Sequence, residues 1–125
     1  EIADRSIKLA EGHPAYPTIL GTSATALSSV GLHELAIKYA YQAIATENTT
    51  QPWTKAWYTK GRSLLELGRD DEGIESLITA TKKQPGTEAA LLSHQVLAQI
   101  YKERGETELS ELHKKLGGGD ITVQE

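Results

Sequence analysis

Residues 57–85, WYTKGRSLLELGRDDEGIESLITATKKQP, contain two helical patterns separated by a glycine. The first pattern ends at Gly68, because glycine readily adopts the left-handed conformation that terminates helices. The second begins at Asp70 and Asp71, where acidic side chains can cap the helix and offset its dipole, and it stops before Pro85. The stretch therefore predicts a helical hairpin.

The glycine between the two helices recurs at a fixed interval along the chain. Gly31, Gly68 and Gly105 are 37 residues apart, and a constant period in this range is typical of helical repeat arrays. A small residue lies seven positions before each of them, at Ala24, Gly61 and Ala98. We expect the two helices of each hairpin to approach closely there.

The rest of the chain divides into further helical patterns. They cover residues 1–11, 18–30, 32–46 and 87–104, followed by a last helix that ends at Gly117. Spacing along these helices predicts which side chains are buried. In the fifth helix these are Leu91, Val96 to Ala98, Ile100 and Tyr101, and in the last helix the apolar residues Leu109, Leu112 and Leu116 lie along one stripe.

The composition of the chain limits the kinds of partner and location that we expect for it. Thirteen basic against seventeen acidic residues give a net charge of −4 without a basic block, so nucleic acid is not expected as a partner. No apolar run is long enough for membrane insertion, and residues 1–20 lack the pattern of a signal peptide. We therefore expect a soluble protein of unknown compartment, with the cytoplasm slightly favoured, and Glu1 at its start suggests a processed or excised piece.

No catalytic or metal-binding motif accompanies the polar residues. The chain has no cysteine, and its four histidines, His13, His33, His94 and His113, are spread over different helices and turns. Neither a zinc-binding histidine pattern nor a nucleophile elbow occurs, and the glycine run at 117–119 lacks the lysine of a phosphate-binding loop. We expect no catalytic residue, no metal and no cofactor.

The central hairpin resembles the tetratricopeptide repeat. Residues at the family's packing positions appear in order, at Trp57, Gly61, Leu64, Gly73, Leu77, Ala80 and Pro85. Lys60 replaces the usual apolar residue, Gly73 replaces alanine, and the period is 37 rather than about 34 residues. We expect the additional residues to lie in the loops between repeats.

The resemblance implies an all-α fold, a right-handed superhelical array of antiparallel helix pairs in which about three repeats follow a half-repeat. The helical domain would cover residues 1–116, and residues 117–125 would be a flexible tail, a linker or the start of another domain. Within the domain we expect the half-repeat helix at 1–11, repeats at 17–48 and 54–85, and a degenerate repeat at 91–116.

The resemblance also implies that the first helices of the repeats line a concave binding wall. The predicted peptide- or partner-binding residues on this wall are Thr22, Thr25, Lys55, Tyr58, Thr59, Arg62, Gln95 and Gln99. Lys55 and Arg62 are suited to accept an acidic group while the other residues hydrogen-bond a peptide backbone. The alternative for each residue is an ordinary solvated helix face.

Relatives that bind chaperone C-termini carry charged and amide side chains on this wall. This chain has Gly21, Thr25, Thr59, Leu92 and Val96 at the matching positions. The resemblance therefore does not imply that ligand. The hypothesis is a non-catalytic module that binds a protein or peptide, and the alternatives are an assembly or homo-oligomerisation element acting through the array ends, or a regulatory segment of a larger enzyme.

Overall fold

Six helices make up the described part of the chain in a computed structural model, which describes residues 16–46 and 53–118. They are α1 Tyr16–Ser29, α2 His33–Ile44, α3 Thr54–Glu66, α4 Asp70–Lys83, α5 Glu88–Glu103 and α6 Thr107–Leu116. Within these ranges there is no strand. The predicted half-repeat helix at 1–11, and the tail from residue 119, lie outside the described residues.

The helices form three hairpins, α1–α2, α3–α4 and α5–α6, in which each helix packs against its neighbour in sequence. The first helices, α1, α3 and α5, also contact one another in series. This arrangement confirms the predicted all-α array of helix pairs. It places the side chains between α1, α3 and α5 on one continuous wall.

The repeating glycines terminate the first helix of each hairpin. Gly31, Gly68 and Gly105 have φ angles of 86°, 80° and 78°, in the left-handed region. The amide that follows each glycine donates to a carbonyl five residues earlier, at 2.9, 2.9 and 2.8 Å. These are the hydrogen bonds of a Schellman motif, so the spacing of 37 residues marks the same turn three times.

The start of α4 differs in detail from the prediction. Its N-cap residue is Arg69, and no side chain accepts a capping hydrogen bond there. Asp70 and Asp71 instead occupy the first turn with Glu72, where their charge still opposes the helix dipole. A side-chain cap is present at α5, where the Thr87 hydroxyl accepts from the Ala90 amide at 3.3 Å.

Two apolar clusters hold the hairpins together. The first joins α1, α2 and the start of α3, and its buried members are Leu20, Ala24, Leu27, Ala36, Tyr39, Ala40, Ala43 and Ala56. The second joins α4 and α5 through Ile74, Leu77, Leu97 and Tyr101. Because the first cluster is rich in alanine, its helices can pack closely together.

The closest approach inside a hairpin occurs between two glycines. A Cβ atom on Gly61 would lie 2.8 Å from Cγ of Leu77 and 3.0 Å from the Gly73 carbonyl oxygen. A Cβ atom on Gly73 would lie 2.9 Å from Cγ of Leu65 and 3.0 Å from the Gly61 carbonyl oxygen. The glycine that replaces the family's alanine therefore allows the α3 and α4 backbones to meet.

Lys60, another departure from the repeat pattern, lies between aromatic rings. Its side chain is only 9% exposed. Its Nζ atom lies 4.1 Å from the ring centroid of Tyr41 and 4.9 Å from that of Trp57. Cation–π attraction to two rings explains how an ammonium group occupies a packing position, since the aliphatic stem packs while the charge faces the rings.

The apolar stripe predicted for α6 faces away from α5. Leu109, Leu112 and Leu116 are 39%, 48% and 48% exposed, whereas Ser110 and Gly117 are buried. Small residues face α5 because the helices touch there. The Ser110 hydroxyl donates to the Ala98 carbonyl at 2.9 Å, and a Cβ atom on Gly117 would lie 3.0 Å from Cγ of Gln95.

The buried side of α5 is also displaced from the prediction at its start. Leu91 is 37% exposed. The buried residues of α5 are Ala90, Ser93, His94, Leu97 and Tyr101. Val96 and Ile100 are half-buried, and they pack against the edge of the second cluster. They therefore border the wall rather than the centre of the core.

Adding a methyl group at Gly61 is expected to destabilise the fold. Overpacking costs about 1–3 kcal/mol, which offsets or exceeds the roughly 1 kcal/mol that alanine gains over glycine in a helix. Gly21 on α1 provides the matched control, because a Cβ atom added there would meet no neighbouring atom within 4 Å. In urea denaturation we expect G61A to unfold at lower urea than the native chain and G21A at equal or higher urea. Stabilisation by both variants would contradict the close approach.

Candidate functional site

The wall formed by α1, α3 and α5 carries an open groove between α3 and α5 with a volume of about 620 Å³. Both helices contribute polar and apolar side chains to it. Its lining consists of Tyr58, Arg62, Leu65, Glu66, Asp70, Leu92, Gln95, Val96, Gln99, Ile100, Glu103 and Arg104. We call this the α3–α5 groove.

Apolar side chains run along the α3–α5 groove. Leu92, Val96 and Ile100 follow one another at intervals of four on α5, so they lie on one helical stripe, and Leu65 faces them from α3. All four are half-buried. They leave apolar surface that a ligand can cover, because the core contacts only part of each side chain.

Charged residues concentrate at one end of the α3–α5 groove, where α3 and α5 finish. Glu66, Asp70 and Glu103 contribute three carboxylates, and Arg104 contributes one guanidinium. All four residues are exposed. The carbonyl ends of α3 and α5 add negative potential while the amide end of α4 at Asp70 opposes it, so the excess of carboxylates is what makes this end favour a cation.

Tyr58 and Arg62 connect the grooves on the two sides of α3. Arg62 Nη1 donates to the Tyr58 hydroxyl at 3.0 Å. Both residues line the α3–α5 groove, and both also line a groove of about 420 Å³ beside α1. Tyr58 further contributes to a groove of about 400 Å³ that contains Lys55. The two side chains therefore lie at the centre of the wall.

Hydroxyl groups connect α1 to α3. The Thr25 and Thr59 hydroxyls lie 3.4 Å apart, and Thr59 is only 4% exposed. One turn further along, the Ser63 hydroxyl donates to Ser28 at 2.9 Å and lies 3.0 Å from Nδ1 of His33. These bonds engage the hydroxyls between the helices, which leaves them less able to bind a ligand.

The predicted wall residues are therefore divided among different surroundings. Tyr58, Arg62, Gln95 and Gln99 line the α3–α5 groove together, while Lys55 lies in the neighbouring groove. Thr25 and Thr59 line the groove beside α1, and Thr22 is exposed outside these grooves.

Leu65, Leu92, Val96 and Ile100 line the α3–α5 groove but were not among the predicted site residues. The four-residue spacing on α5 was the available signal. The same spacing is typical of residues buried in a helical core, so it does not distinguish a groove from a core.

The structure also brings together two histidines that the sequence left apart. Nδ1 of His94 on α5 lies 2.9 Å from Nδ1 of His113 on α6, and the His113 ring stacks on Tyr101 at a centroid distance of 5.4 Å. Desolvation lowers the pKa of both histidines, and the neighbouring His94 lowers that of His113 further. Among the described residues, no group of three potential metal ligands occurs.

This histidine pair is expected to make stability depend on pH. Because the folded-state pKa values are lowered, the contribution is fully present above the unfolded value of 6.5 and is lost as the pH falls through the lower folded values. In urea denaturation at pH 7.5 and 5.5, the native chain should lose more stability on acidification than H94Q/H113Q. Replacing His33, which bonds Ser63 instead, by glutamine should retain the pH-dependent loss. Equal losses in the native chain and H94Q/H113Q would contradict this role.

None of the helices in the described ranges combines the length and apolarity needed to cross a bilayer.

A family model described as tetratricopeptide repeat matches residues 54–86, the segment that contains α3 and α4. This segment is a tetratricopeptide repeat, a unit that generally mediates protein–protein interactions. Comparisons with curated proteins and with solved structures found no match.

Proposed function

We propose that this chain is a non-catalytic interaction module that binds an amphipathic peptide segment of a partner protein in the α3–α5 groove. The observation that carries the proposal is the apolar stripe of Leu92, Val96 and Ile100 beside exposed polar side chains. Apolar contacts would supply binding free energy, and polar groups at the edges would orient the peptide.

The glutamines on α5 suit a peptide partner. Gln95 and Gln99 are exposed on the groove, and each amide offers donors and an acceptor to a peptide backbone. Gln95 Nε2 also donates to the Gly117 carbonyl at 3.1 Å. That bond holds Gln95 in place and makes Gln99 the more adaptable of the two.

The charged end of the groove indicates the direction of the peptide. Glu66, Asp70 and Glu103 favour a lysine or arginine of the ligand, since these three carboxylates outnumber the two arginines of the groove, Arg62 and Arg104. Lys55 lies near the opposite end of α3, in the adjoining groove, where it would accept an acidic group. We therefore propose a peptide whose acidic end lies near Lys55 and whose basic end lies near Glu66.

The proposal that the chain lacks catalysis rests on the character of its polar groups. The wall hydroxyls are engaged between helices, and the paired histidines lie in the α5–α6 hairpin rather than in the groove. A regulatory segment of a larger enzyme would use the same groove to bind its target. The proposed interaction role therefore applies both to a separate binding module and to a regulatory segment of a larger enzyme.

The proposed ligand class can be tested by selecting peptides from a random displayed library on the immobilised chain. The native chain should enrich amphipathic peptides with a basic residue at one end, because the groove combines an apolar stripe with a carboxylate cluster. The variant E66K/E103K should weaken binding of those synthesised peptides by about tenfold or more in isothermal titration calorimetry.

The variant E34K/E75K is the matched control. It makes the same change in net charge at exposed residues of α2 and α4 that do not line the described grooves. It should bind the selected peptides as the native chain does. Failure to enrich any sequence pattern, or equal weakening by both variants, would argue against the α3–α5 groove as the binding site.

A further inference from the structure

We propose that the outer face of α6 is a self-association surface on which a second copy of this chain packs its own α6 in antiparallel orientation. The surface consists of Leu109, Leu112 and Leu116, here called the α6 stripe. These residues are spaced by three and four, so they form one apolar line along the helix. None of these three leucines lines the α3–α5 groove.

Apolar residues are unexpected on this face of the second helix. At a shift of 37 residues, the α6 stripe corresponds to Glu72, Glu75 and Thr79 of α4. The two glutamates are exposed, although α4 is packed between neighbouring helices. The face therefore points outward from the array, and α6 presents leucines where α4 presents charged groups.

A further helix pair stacked on the C-terminal end of the array would cover other residues. The end groove between α5 and α6 is lined by polar side chains that include Gln99, Lys102, Glu111 and Lys114. Glu111 and Lys114 correspond to Ile74 and Leu77, which pack at the junction of α4 and α5. Stacking of another repeat would thus leave the α6 stripe exposed.

The charges beside the α6 stripe favour a second copy as its occupant. Glu108 lies before the stripe's central residue and Lys115 after it, and helical spacing places both on the outer side of Leu112. In an antiparallel pair with its two-fold axis at Leu112, Leu109 lies within one residue of the level of Leu116 of the second copy. Glu108 likewise lies within one residue of the level of Lys115, close enough for their long side chains to pair, and the symmetry produces each contact twice.

The parallel arrangement lacks this complementarity. It would place Glu108 of one copy beside Glu108 of the second, and Lys115 beside Lys115. Repulsion at both ends would oppose it. A ten-residue helix pair is a small contact, so the dimer is weak and forms at high protein concentration.

Sedimentation velocity over a concentration series from micromolar to millimolar tests the proposal. The native chain should show a reversible monomer–dimer equilibrium, and L112Q should weaken it by at least about tenfold because the leucine is buried twice at the axis. The control L32Q replaces another leucine that is equally 48% exposed, near the start of α2, and should leave the dimer unchanged. Circular dichroism melts would confirm that each variant is folded.

Charge reversal distinguishes the antiparallel dimer from other assemblies. E108K and K115E should each weaken dimerisation by about tenfold, and the double variant E108K/K115E should restore it to within about threefold of the native value, because the pairs re-form with exchanged signs. A monomer at every concentration, a dimer equally sensitive to L32Q, or a double variant no better than the single ones would overturn the proposal. Binding of groove-selected peptides should persist in L112Q.

Discussion

The close approach of α3 and α4 at Gly61 and Gly73 is the constraint on which the array depends. Two backbones meet where neither residue has a side chain, and each glycine faces a leucine of the other helix. The α5–α6 hairpin repeats this contact with Ala98 and Ser110. Since only small residues fit at the crossing, the crossing fixes the rotation of each second helix and determines which of its side chains point outward.

This constraint explains which parts of the fold were predictable. Gly31, Gly68 and Gly105 revealed the period, and the predicted helix boundaries agree with the described helices to within two residues. The apolar stripe of α6 was predicted, but its outward direction was not, because periodicity identifies an apolar face without identifying the element that packs against it. Ser110 lies 37 residues after Gly73, and this alignment correctly indicates that Ser110 faces the first helix of its hairpin. A serine alone, however, seldom indicates a close contact between helices.

The candidate site was predictable only in its polar part. Tyr58 and Arg62 were placed on the wall by their positions in the repeat, and the structure joins them by a hydrogen bond. Leu92 and Val96 belong to the same groove, yet their helical spacing also fits a buried core. How much of such a side chain is buried depends on its contacts with neighbouring helices. Those contacts involve residues far apart in sequence, so the local pattern does not show them.

The two sides of α3 offer different chemistry to a ligand. Toward α1, the hydroxyls of Thr59 and Ser63 are already engaged with other side chains, so a ligand would have to replace existing hydrogen bonds and would gain little net free energy. Toward α5, half-buried apolar surface gains free energy when it is covered. In the proposed function, binding strength would therefore arise on the α5 side, while Tyr58 and Arg62, which border both sides, would orient the peptide there.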